Sequence, residues 1–362
     1  MFYKILIVFS ALFLITCESS KGASHNVNQQ VLQGTRILGM DIHETPTITF
    51  DTAYNEAIMM GVRESSLSLD WNLLEPNVGN YEDTIPDIIN LFYPSQISDL
   101  TLIIRPLDTA GKRYPSGLTG NFDDRTVITT FENFLTHLHS RLTALNSRGK
   151  LKWIQIGNEI DAYLGDNPTK WAQWKTFFLA AKAKIKTLWP KVEVSTVIQF
   201  NTLQDKNILD QYLSLLPSLD NASLTYYPLE SDFTIRPPDT VDNDFDLMVR
   251  SIPDKYIFLQ ECGYPSSTIN LSSKAQQADF ISQVFNAWDK HLTKIKIIDF
   301  SWQYDISDEE ASQYVIDYGL SETANENEFK NYLSSIGLSH NDGTKKPALQ
   351  QLRNELNKRK WK

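Results

Sequence analysis

Eight apolar runs of strand length recur between residues 36 and 300, and the intervals between them carry helical spacing. That alternation is the strongest constraint on how this 362-residue chain can fold. The runs are 36–42, 64–71, 100–106, the stretch beginning at Trp153, then 192–200, 222–227, 256–260 and 296–300. Helices are expected over 51–60, 84–98, 123–145, 169–188, 206–216, 245–251 and 272–292, with a last one over 347–356. In the helix over 123–145, Val127, Ile128, Phe131, Phe134, Leu135, Leu138 and Leu142 fall on one face. Strand then helix, eight times over, is the count of a single α/β domain folded as a (β/α)8 TIM barrel, expected over 34–362. An open doubly wound sheet would want a glycine-rich turn at its first strand, and residues 34–41 offer none.

Two of the runs stop at a carboxylate. Trp153-Ile154-Gln155-Ile156 breaks into Gly157-Asn158-Glu159-Ile160-Asp161, and Tyr256-Ile257-Phe258-Leu259-Gln260 ends at Glu261-Cys262-Gly263-Tyr264-Pro265. A carboxylate at the buried end of a strand is unfavourable unless something there needs it. In a parallel barrel both ends reach the same rim, so Glu159 and Glu261 would face each other. Two facing carboxylates are the apparatus of retaining glycoside hydrolysis, in which one protonates a poor leaving oxygen and the other attacks the anomeric carbon. Each also has a structural reading: Glu159 could cap the following turn and Glu261 could pair with Arg105. Both falling at matching strand ends, with Asn158 before the first, favours chemistry. Other polar and aromatic side chains gather at the expected strand ends: His43, Trp71, Arg105, Tyr226, Tyr227 and Trp302.

Asn158-Glu159 at the fourth strand and Glu261 at the seventh resemble the clan A glycoside hydrolases, the "4/7" barrels. Ile156-Gly157-Asn158-Glu159-Ile160, Tyr226-Tyr227-Pro228 and Glu261-Cys262-Gly263-Tyr264-Pro265 are most similar to the endo-β-1,4-galactanases within that clan. Trp71-Asn72-Leu73-Leu74-Glu75-Pro76 and Asp342-Gly343-Thr344-Lys345-Lys346-Pro347-Ala348 look like other members. The resemblance spans roughly residues 36–352. It implies Glu159 as acid/base and Glu261 as nucleophile, with no cofactor. Asn158 would then bond a sugar hydroxyl, Tyr226 or Tyr227 would hold Glu261 ionised, and Trp302 would be the floor on which the sugar ring stacks. Between the two tyrosines the reading leans to Tyr226. Many clan members carry an Arg in strand two that bonds the nucleophile; here Ser66 falls near that place, and Arg105 is the candidate to supply the charge instead.

The N-terminus reads as a processing signal. Lys4 precedes an apolar run, Ile5 to Ile15, too short to span a membrane as a helix, and Leu14-Ile15-Thr16-Cys17 resembles a bacterial lipobox. A signal peptide over 1–16, a lipidated Cys17, a flexible tether over 17–33 and a barrel held at a bacterial membrane, periplasm-facing or at the cell surface, are the expectation. With Cys17 lipidated, Cys262 has no disulfide partner within the chain, and a buried Cys is most often inert. A net charge of −10 argues against nucleic acid as a partner. No His pair or Cys cluster has metal-ligand spacing. A polysaccharide or oligosaccharide is the expected partner and a monomer the expected state. The other reading is a surface glycan-binding protein on the same barrel, which would keep the Trp and Tyr platforms and need neither Glu.

Overall fold

The structure is a computed structural model that describes residues 31–109 and 111–361. The expected signal peptide, most of the tether and Cys17 lie outside those residues.

The barrel is present. Its strands are β1 (Ile37–Met40), β2 (Glu64–Asp70), β3 (Asp99–Asp108), β4 (Leu151–Asn158), β5 (Glu193–Ser195 and Val197–Gln199), β6 (Ala222–Tyr226), β7 (Ile257–Cys262) and β8 (Ile295–Phe300). Each pairs in parallel with the next, and β8 pairs back to β1 through Ile37–Ile297 and Met40–Phe300. Closure passes through the broken strand β5. Its first piece pairs with β4, its second with β6, and Thr196 between them donates its hydroxyl to the Ile156 carbonyl at 2.7 Å. A two-residue stub, Gly111–Lys112, folds back antiparallel on the end of β3.

Local signals place the helices. Asn167 accepts from the Thr169 and Lys170 amides and Pro168 opens the helix Pro168–Leu188. Ser273 caps Lys274–Lys290. Helix Arg125–Arg141 buries Val127, Ile128, Phe131, Phe134, Leu135 and Leu138, the face read from the sequence. Two expected helices are shorter. The one over 84–98 ends at Phe92 in a tight turn carrying Pro94, and the one over 123–145 splits at Leu142 before a second piece, Thr143–Arg148, that Gly149 terminates at φ 62°.

One part was not anticipated. After β8 the chain makes two further helices, Asp308–Asp317 and Glu326–Leu333. They build a small core of their own from Ile306, Ala311, Val315, Phe329, Tyr332, Leu333 and Ile336, packed against Tyr227, Phe233 and Trp302. This excursion therefore leans on the rim where strands β6 to β8 end.

Candidate active site

A cavity of about 640 Å³ lies at that rim. Barrel residues near or beyond the C-terminal ends of the strands form its floor: Asp41, Arg105, Asn158, Glu159, Glu261 and Trp302. The excursion and the loop after β6 form its wall, with Phe233, Tyr314, Tyr318 and Tyr332. That is where barrel folds carry their sites.

The backbone aims Glu159. Strand β4 stops at Asn158; Gly157 takes φ 76° and Glu159 takes φ 45°, left-handed values that L-residues avoid. A Cβ at Gly157 would lie 2.7 Å from Trp174 and from Ile160, so only glycine fits. Holding Glu159 left-handed costs on the order of 1–3 kcal/mol, which the surrounding bonds offset. Its carboxylate accepts from Thr225 Oγ1 at 2.7 Å, Gln199 Nε2 at 3.1 Å and Thr109 Oγ1 at 3.2 Å. Residues at or near the ends of β3, β5 and β6 thus fix one side chain.

Glu261 lies inside β7, one residue before its end, and among the described residues accepts a single side-chain bond, from the Tyr227 hydroxyl at 2.9 Å. Burial first, then the negative charge of Glu159, pushes its pKa up to about 8. Burial also holds the Glu159 pKa above the ordinary carboxylate range, against the Thr225 bond that lowers it and with the Asp108 charge adding to the rise. The pair therefore retains a proton near neutral pH. Asp41 is a third carboxyl lining the cavity, raised chiefly by burial.

Asn158 is buried, and its amide is split between two tasks. Nδ2 donates to Asp108 Oδ1 at 3.2 Å, while Oδ1 has no partner among the described residues. Asp108, at the end of β3, also receives Tyr318 and Arg113, each at 3.3 Å, and has Arg105 at 3.7 Å.

The structure separates the other candidates. Tyr227 is the tyrosine on Glu261. Tyr226, to which the sequence reading leaned, is wholly buried with its hydroxyl on Asp244 at 2.8 Å and Arg236 beside that same carboxylate. Neighbouring residues at the end of a strand point to opposite sides, and the inward side falls to Tyr227. Arg105 lines the cavity, yet its Nε is given to Asp70 at 2.6 Å, so its charge goes to Asp70 and Asp108 rather than to Glu261. Ser66 donates to Asp299 at 2.5 Å, so its hydroxyl is turned to that carboxyl. Trp302 lines the cavity. His43 does not; it meets Trp302 edge-on at 6.1 Å and Tyr304 at 6.0 Å. Trp71 also stays out of the cavity, being wholly buried against Phe131 with its indole N–H on Glu75 at 2.7 Å. Cys262 is buried and its thiol pKa is pushed up by that burial, the opposite of an activated nucleophile. Among the described residues no group of three His, Cys, Asp or Glu side chains is assembled to hold a metal.

Sequence reading missed Asp41, Thr109, Gln199, Thr225 and the wall tyrosines. The first four sit at or just past strand ends, so a strict count of rim positions on every strand points to them; the wall carries no such signal.

No family model and no curated protein matches the sequence. Solved structures do match the fold. An exo-β-1,4-mannosidase from Opitutaceae bacterium strain TAV5 aligns with a TM-score of 0.67 at 13% identity, over 90% of this chain and 59% of that one. A GH5_18 protein from Streptomyces cattleya, in complex with GlcNAc, aligns at 0.67 and 14%, over 90% and 80%. A fungal β-1,4-galactanase aligns at 0.60 and 16%, over 90% and 100%. The distant resemblance to clan A barrels is met in the fold.

Proposed function

We propose that the protein is a retaining glycoside hydrolase that cleaves a β-linked polysaccharide, acting within the chain. The observation that carries this reading is that β4 and β7 deliver Glu159 and Glu261 into one cavity, buried and close enough for one charge to raise the other's pKa. Double displacement needs one proton on the pair. Glu159 in its acid form protonates the glycosidic oxygen as that bond breaks, and Glu261 attacks the anomeric carbon to give a glycosyl-enzyme. Ionised Glu159 then takes a proton from water, whose oxygen displaces Glu261. Tyr227 aims Glu261, the free Oδ1 of Asn158 accepts a sugar hydroxyl, and Trp302 offers the ring on which the sugar stacks. The folds similar to this one belong to proteins named as a mannosidase and a galactanase, which supports a carbohydrate substrate.

The test is reducing-sugar release from β-glucans, galactan, mannan and xylan, with proton NMR of the first product. A β-anomer formed first, from the interior of one of these chains, is the expected result. Binding without release from any of them would leave a glycan-binding protein.

We also propose that Cys17 is lipidated after cleavage of 1–16, with 17–33 as tether and 34–362 as a monomeric catalytic barrel at a bacterial membrane. The lipobox-like Leu14-Ile15-Thr16-Cys17 supports this.

A further inference from the structure

Resting on the glycosidase reading, the geometry points to Tyr314 as the floor of a second sugar subsite, beside the one on Trp302. Three observations meet there. First, the Tyr314 and Trp302 rings both line the cavity, with centroids 6.4 Å apart and planes within 27° of each other. The two rings are near-parallel aromatic surfaces within one cavity, and successive sugars of a β-linked chain present apolar C–H faces to such surfaces. Second, Tyr314 is held ready. It sits on the helix Asp308–Asp317, whose start is locked by a reciprocal cap: Ser307 Oγ accepts from the Glu310 amide, and Glu310 accepts from the Ser307 amide. Ala311 and Val315 bury the other stripe of that helix.

Third, Tyr314 differs from its helical neighbour Tyr318. Tyr318, four residues on, is committed to Asp108 through its hydroxyl. Tyr314 leaves 38% of its surface in solvent despite its size and aromatic character. Its ring meets Trp302 near-parallel and Tyr318 at 6.3 Å, and the part left in solvent, on a capped helix and inside the same cavity, is placed to stack. A cavity of about 640 Å³ is also far roomier than one sugar ring requires. The ligand class is a neutral β-linked oligosaccharide of at least two units, one over each ring.

The experiment is calorimetric titration of β-1,4-linked gluco-, manno- and galacto-oligosaccharides of one to five units. It uses protein carrying Glu261→Gln so that nothing is cleaved, alone and combined with Tyr314→Ala or Tyr314→Phe. Affinity should climb from one sugar to two. With Tyr314→Ala that climb should shrink by roughly three- to tenfold, the worth of one stacked ring, and with Tyr314→Phe it should persist. The same climb in Tyr314→Ala, an equal loss at every length, or no binding of any oligosaccharide overturns the subsite. Tyr314→Phe keeps the ring and the packing, so a folding defect confined to Tyr314→Ala is told apart by its melting curve, and a lost climb in Tyr314→Phe also counts against stacking. If the unaltered protein releases no sugar while binding still depends on length and on Tyr314, the glycosidase reading falls and the subsite stands.

Discussion

The Tyr227 hydroxyl donates to Glu261 at 2.9 Å, and it is the one side-chain hydrogen bond that Glu261 receives among the described residues. Glu159, by contrast, has three donors. The geometry of the proposed nucleophile thus depends on a single phenol. Tyr227→Phe removes that bond and keeps the ring. A hydrogen bond to a charged group is worth about 1.5–3 kcal/mol, so kcat should fall roughly ten- to hundredfold. The bond lowers the Glu261 pKa, so removing it raises that pKa from its value of about 8. Since attack needs the ionised form, the acidic limb of the pH–rate profile should move upward. A profile unmoved in pH would show that Tyr227 does not touch the reacting carboxylate.

Gly263 permits that contact. A Cβ there would lie 2.7 Å from Tyr227 Cε1 and 2.8 Å from the Ser301 carbonyl, distances no real Cβ keeps. Gly263→Ala should push the Tyr227 ring off Glu261. Its kinetic signature should therefore match that of Tyr227→Phe, with little further loss in the double variant. Additive losses in the double variant would separate the two positions.

Below the site, Glu64 and Asp299 are fully buried in neighbouring ladders on either side of Gly39, which pairs with both. Gly39 leaves them room, since a Cβ there would lie 2.2 Å from Glu64 Oε2. Thr101 donates to Glu64 and Ser66 to Asp299, each at 2.5 Å. Burial dominates and lifts the Glu64 pKa from 4.5 to about 7. The folded state then binds a proton more tightly than the unfolded one, so this contribution is whole below about pH 4.5 and is lost as pH rises through about 7. The loss is on the order of 3–4 kcal/mol for this shift. Glu64→Gln carries no charge to bury. Its stability relative to the unaltered protein, measured by urea unfolding, should rise between pH 4.5 and 7, and parallel curves would refute the assignment.

Much of the barrel was legible because its signals are local: strand-length apolar runs, an Asn167-Pro168 helix start, a Ser273 cap. Glu159 and Glu261 stood out because an acid is out of place at the end of an apolar run. What could not be read depends on which way a side chain turns. Tyr226 and Tyr227 are adjacent and alike in composition; the strand pleat alone sends one to Asp244 and the other to Glu261. Trp71 looked like a rim residue, yet Glu75, one helical turn on, draws its indole into the core. Arg105 was expected near Glu261 and is taken by Asp70, which faces it in the β2–β3 register. The two-helix excursion was missed because its helices are short and charged, and their few apolar residues make a small core of their own on the barrel rim.

The anchor is testable apart from the barrel. Cys17→Ser removes the sulfur that a lipid would occupy and alters nothing in the described fold. The variant should leave the membrane fraction for the soluble one with its activity per molecule preserved. Protein still wholly in the membrane pellet would place the anchor elsewhere.

The two carboxylates are assigned by strand position, and hydrogen bonding pulls the other way: three donors on Glu159 favour its ionised form, one on Glu261 does so less. Exchanged roles are therefore a distinct outcome, and kinetics separates them. Glu261→Ala should abolish turnover of every substrate, because no other group forms the glycosyl-enzyme. Glu159→Ala should be graded. A sugar leaving group needs the proton and should lose several powers of ten in rate, whereas an activated aryl leaving group departs unaided and its first step should suffer far less. Azide, which needs no general base, should then restore aryl glycoside turnover in Glu159→Ala and give the β-glycosyl azide, with configuration retained. In Glu261→Ala azide would take the place of the nucleophile on the opposite face and give the α-anomer. If the azide products came out reversed, Glu159 would be the nucleophile. If neither variant lost activity, the reaction would not pass through this pair at all.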